Sequence, residues 1–154
     1  MVNMNRKGFT IIELAIVIGI LALILAIVGG FISSATARVN ITDASTQVVD
    51  ALRRAQWQTI NGQDDADWSV HFTANQIILF KGIIYNPIDP DNYITNIESP
   101  LTISGISLNG GGSDVIFDDE FGNSTTYGTI TITDPVTSES VAVTINQIGS
   151  VDAD

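Results

Sequence analysis

Residues 8–28 read GFTIIELAIVIGILALILAIV, one apolar helix-forming run with a single carboxylate, Glu13, near its start. That carboxylate constrains the chain more than any other feature. Arg6 and Lys7 precede the run, and no residue from 14 to 32 is charged. Roughly 20 apolar residues span a membrane, so the length permits a span. A glutamate in hydrocarbon costs several kcal/mol unless it finds a partner, and a plain anchor has no use for one. A cleaved secretory signal has an apolar core of only about 7–15 residues, shorter than this run, although Ala35-Thr36-Ala37 offers a small-x-small cut site. The segment therefore reads as one that is cut and then assembled, with plain anchor and secretory signal as competing readings. Arg6 and Lys7 hold the leader in the cytoplasm by the positive-inside bias, which puts the C-terminal part outside.

Arg6-Lys7-Gly8-Phe9-Thr10-Ile11-Ile12-Glu13-Leu14 and the apolar run behind it resemble the start of the type IV pilins and of the pseudopilins of type II secretion systems. The resemblance implies that a prepilin peptidase/methyltransferase cuts between Gly8 and Phe9 and then N-methylates Phe9. It implies that Glu13 pairs with the Phe9 amine of a neighbouring subunit. Such a pair neutralises two costly charges at membrane depth and sets register; a pairing of Glu13 within its own chain is the alternative. The implied partners are other pilin or pseudopilin subunits, the inner-membrane assembly platform and membrane lipid. The implied place is the bacterial inner membrane, with a single pass and a periplasmic or extracellular C-terminal domain carried in a pilus or pseudopilus. The chain departs from the family pattern twice. Many major type IV pilins resemble one another in a C-terminal disulfide loop, and this chain has no cysteine. Gly29-Gly30 stands where the pilins commonly carry a proline; each glycine costs about 1 kcal/mol in a helix, so the pair reads as a weak point or as an inert loose section.

Beyond the apolar run the helix is expected to continue. Ala44, Val48, Leu52 and Ala55 recur at helical spacing and form a stripe suited to packing on a sheet, and Asn61-Gly62 reads as a stop. From there the period becomes two. Trp68, Val70 and Phe72 alternate with Ser69, His71 and Thr73. Residues 77–80 and 83–85 form an apolar run broken by Lys81-Gly82. Leu101, Ile103, Ile106 and Leu108 read as a strand bent at Gly105, residues 115–117 as a short strand, and residues 129–133 and 141–145 as a hairpin. The expected class is α+β and pilin-like, a long N-terminal helix packed on an antiparallel sheet. The expected organisation is a removed leader at 1–8, a transmembrane and assembly helix at 9–32, its amphipathic continuation at 33–62 and a β-rich domain at 63–154.

The order of Leu52-Arg53-Arg54-Ala55-Gln56, the Trp68 strand, Val115-Ile116-Phe117-Asp118 with Phe121-Gly122, the last two strands and Gly149 is similar to the GspH/FimT-type minor pseudopilins. Those relatives often end in Gly-Arg-Val, whereas this tail reads Gly149-Ser150-Val151. That resemblance implies a minor subunit; the alternatives are a major pilin of the filament shaft and a binding or adhesion module at the tip.

Charge narrows the partners. The formal net charge is −11, and after Arg54 the only basic residue is Lys81, against 14 acidic ones. A nucleic-acid face needs clustered Lys and Arg, so none is expected. The candidate metal ligands are Asp114, Asp118, Asp119 and Glu120, which would suit calcium but read first as solvated turn residues; Asp64, Asp65 and Asp67 read as a loop. No cofactor is otherwise implied. His71, the only histidine, is expected to face solvent without an orienting partner, and no catalytic constellation is legible.

Overall fold

A computed structural model describes residues 9–118 and 121–154, without the side chains of 27–37. Arg6, Lys7 and Gly8, and likewise Asp119 and Glu120, lie outside the described residues. Helix α1 spans Ile11–Ile60, 50 residues, and includes Gly29 and Gly30. The chain divides into two units, Met1–Thr36 and Ala37–Asp154.

In the first unit, every described side chain from residue 9 to residue 26 is exposed. Ile11 is 89% and Leu25 70% exposed, so the apolar run over residues 9–26 is uncovered among the described residues. Among the described residues, no helix is long and apolar enough to cross a membrane; the described side chains of the run stop at Ala26.

The second unit is built on the stripe. Ala44, Val48, Leu52 and Ala55, joined by Ile41 one turn earlier, are all buried and belong to one hydrophobic core. Helix α1 ends where Gly62 takes a left-handed φ of 58°. There its amide donates to Thr59 O at 2.9 Å, and Asn61 Nδ2 closes back on Trp57 O at 2.6 Å. A glycine carries no Cβ penalty in that conformation. A short 3-10 turn, Gln63–Asp65, follows.

Among the described residues, eight strands form two sheets rather than one. They are β1 Trp68–Phe72, β2 Gln76–Lys81, β3 Tyr93–Asn96, β4 Thr102–Leu108, β5 Asp114–Phe117, β6 Gly128–Thr133, β7 Ser140–Ile145 and β8 Val151–Ala153. One sheet has the order β3-β2-β1-β5 and the other β4-β6-β7-β8, and all pairings are antiparallel. The class is α+β, and the inner faces of both sheets join the helix stripe in a single core: Val70 and Phe117 from the first, Ile130, Ile132, Val143 and Ile145 from the second. The bend in β4 has a cause. Ile103 and Leu108 both reach the core although five residues apart, an odd spacing that alternation forbids. The register shifts between Ile103 and Gly105, inserting the extra residue that turns both inward.

Residues 83–85 are not strand. Gly82, at φ 95°, turns the chain out of β2, held by Gly82 N donating to Asp67 O at 2.7 Å and Ser69 Oγ donating to Gly82 O at 2.7 Å. Strands β3 and β8, short and at sheet edges, lack the alternation that marks the others.

Candidate functional site

At the start of α1, Thr10 and Glu13 form a reciprocal cap. Thr10 N and Thr10 Oγ1 each donate to Glu13 Oε2 at 3.1 Å, and Glu13 N donates to Thr10 Oγ1 at 3.3 Å. The Thr-x-x-Glu spacing is that of a capping box, which satisfies helix amides that have no intrahelical acceptor. Thr10 therefore joins Glu13 at the site, and its legible signal in the sequence is that spacing. Within the single chain, Glu13 is engaged in its own turn. One oxygen does this work, and a carboxylate has about four acceptor positions, so the cap leaves capacity for a cation. It also aims the carboxylate at the N-terminal end of the helix, where Phe9, 89% exposed, stands.

Asp114 and Asp118, the acidic candidates among the described residues, stand in different surroundings. Asp114 Oδ1 lies 2.5 Å from His71 Nδ1. Asp118 lines a separate open cleft with Asp65, Asp67 and Phe121. Among the described residues no group of three or more His, Asp or Glu side chains is placed to hold a metal ion.

His71 corrects the expectation of a solvent-facing ring without a partner. Alternation does place it on the outer face of the first sheet, but that face is covered. The chain leaving β2 folds back so that the Tyr85 ring stacks on His71 at 4.0 Å and 9°, with Phe80 edge-on to Tyr85 at 5.4 Å. Register sets His71 opposite Asp114 across β1 and β5. The result is an ion-pair geometry under an aromatic lid. Among the described residues, Asp114 is the hydrogen-bond partner of His71.

A third cluster joins distant sequence pieces. Gln56 Nε2 donates to Gly122 O at 2.9 Å, and a side chain at Gly149, whose φ is +77°, would strike both Gln56 and that same carbonyl. Gly122, at φ +73°, packs on Ile60 and Gln56. The fragments around Gln56, Phe121-Gly122 and Gly149 thus meet at one point of the second unit.

An exposed helix with a capped glutamate, followed by an α+β domain, is consistent with a pilin-like architecture. Residues 3–29 match the family model described as the prokaryotic N-terminal methylation motif. That motif supports a place among the type IV pilins and pseudopilins. No curated protein and no solved structure matches the chain.

Proposed function

We propose that this chain is a structural subunit of a type II secretion pseudopilus or a type IV pilus, in the position of a minor subunit that helps initiate or cap the filament. In this reading the leader is removed after Gly8, Phe9 is N-methylated, and residues 9–32 hold the subunit in the bacterial inner membrane until it is drawn into the filament. The β-rich domain then lies in the periplasm or outside the cell.

The methylation motif over residues 3–29 carries the reading. The exposed apolar run behind it supports the same view, since an apolar helix face left exposed among the described residues is suited to lipid or other subunits. The minor position rests on the similarity to the GspH/FimT type and on the absence of a disulfide loop. Calcium is no part of the proposal, because Asp114 is turned to His71.

A shaft position is the second reading. Imaging native filaments and identifying their subunits by mass separates the two: a shaft subunit dominates the filament and a minor one is scarce. Absence of the chain from every filament preparation overturns both.

A further inference from the structure

An asparagine followed by glycine is chemically exposed in a way other amides are not. Glycine has no side chain to shield its nitrogen, and that nitrogen can close on the asparagine side-chain carbonyl as a five-membered imide. The sequence holds two such pairs, Asn61-Gly62 and Asn109-Gly110. The fold treats them oppositely.

At Asn61-Gly62 both reacting groups are engaged. Asn61 Nδ2 donates to Trp57 O at 2.6 Å, and Gly62 N donates to Thr59 O at 2.9 Å. Closing an imide there breaks both bonds at the end of α1, each worth about 1 kcal/mol net.

Asn109-Gly110 forms the middle of the turn after β4. The ends of that turn are fixed, with Gly111 N donating to Leu108 O at 3.0 Å and Asn109 N donating to Tyr127 O at 2.7 Å. Its middle is free. Gly110, at φ 88°, follows Asn109, the arrangement of a type II turn. Among the described residues, neither Gly110 N nor Asn109 O nor the Asn109 side chain makes a hydrogen bond. The central peptide therefore rotates without breaking one, which carries Gly110 N toward Asn109 Cγ. Asn109 is exposed, and a Cβ at Gly110, Gly111 or Gly112 would meet nothing within 4 Å, so water reaches the turn. Three consecutive glycines also absorb a changed chain path at little steric cost.

We propose that Asn109 is a self-modification site, converted to isoaspartate in the folded protein while Asn61 is spared. Gly110 N gives its proton to a solvent base and attacks Asn109 Cγ. The new C–N bond closes the imide, and the side-chain nitrogen takes a proton from water and leaves as ammonia. Water then opens the imide. Cleavage between Gly110 N and the main-chain carbonyl of residue 109 leaves isoaspartate, with the backbone running through Cβ and the α-carboxylate free; cleavage at Cγ leaves aspartate. Isoaspartate lengthens the turn by one carbon and adds a negative charge to a chain already at −11. The change falls directly after Leu108, a buried residue paired with Gly128 at the end of the β4–β6 ladder. The free α-carboxylate is the group that a carboxyl methyltransferase specific for isoaspartate would take. The site does not depend on the filament reading.

The test uses full-length chain in detergent micelles, held at mildly alkaline pH and sampled over days. Peptide mapping by mass locates each deamidated residue, and a purified isoaspartyl methyltransferase with labelled S-adenosylmethionine counts isoaspartate. We expect Asn109 to convert several-fold faster than Asn61. Asn109→Gln, whose longer side chain cannot close the five-membered ring, should bring the methyl label down several-fold. In urea Asn61 should catch up with Asn109, because its protection comes from the helix end. Equal or faster conversion of Asn61 in the folded chain overturns the proposal. So does an Asn109 that stays an amide while the unfolded chain converts, or a methyl label undiminished in Asn109→Gln.

Discussion

Gln56, on the helix, donates its side-chain amide to the carbonyl of Gly122, 66 residues further on, at 2.9 Å, and Gly149 closes over the pair. The contact ties the helix to the loops after β5 and β7. Gly149→Ala should therefore be costly, since it adds left-handed strain of roughly 1–2 kcal/mol and an overpacking penalty of roughly 1–3 kcal/mol. Gln56→Ala, which only strands a carbonyl, should cost less, about 1–3 kcal/mol. Denaturant unfolding of the two variants checks the order; a Gly149→Ala chain as stable as wild type would show that the node yields freely.

Processing is read at the N-terminus. The mature chain should begin with N-methylated Phe9, and replacing Gly8 with a bulky residue should leave the leader attached. Mass analysis of the N-terminal peptide decides this, and an intact leader on wild-type chain, or a start near Val39, counts against it.

On the proposed reading, assembly turns on Glu13. An amine at Phe9 and a carboxylate at Glu13 are both costly at membrane depth, and removing one strands the other. Glu13→Ala or Glu13→Leu should leave cleavage and insertion intact and abolish or strongly reduce incorporation into filaments, with Glu13→Gln intermediate. Thr10→Ala separates the cap from the pairing. It removes a cap worth about 1 kcal/mol while keeping the carboxylate, so it should incorporate far better than Glu13→Ala. Equal loss in both variants would show that capping alone explains the residue.

The lid over His71 should show in proteolysis. An offset or parallel aromatic pair contributes about 0.5–1.5 kcal/mol beyond its buried area. Tyr85→Ala and His71→Ala should both raise cleavage within residues 82–92, and leave the helix and the second sheet as resistant as before. Unchanged cleavage in both would mean that the turn hydrogen bonds alone hold the segment.

Nucleic acid should not bind. With Lys81 the only basic residue after Arg54, there is no counterion release to drive association. A mobility-shift assay on the intact chain at physiological salt should show no submicromolar complex.

Much of the fold is legible in local pattern, because a stripe at spacings of 4, 4 and 3 on the helix and alternation in β1, β6 and β7 are properties of a few adjacent residues. Glu13 is legible for the same reason: a lone carboxylate in an apolar run is anomalous wherever the chain folds, and its Thr-x-x-Glu cap needs only one turn. What local pattern cannot carry is cover and company. Alternation placed His71 on the outer face of β1, yet which segment lies over that face depends on how the chain leaves β2 at Gly82. Asp114 meets His71 only because β1 and β5, far apart in sequence, are neighbours in a sheet. The division into two sheets, the short edge strands β3 and β8, and the meeting of Gln56, Gly122 and Gly149 likewise follow from long-range pairing and close packing. Those are decided by the whole chain burying one core, and no window of the sequence contains them.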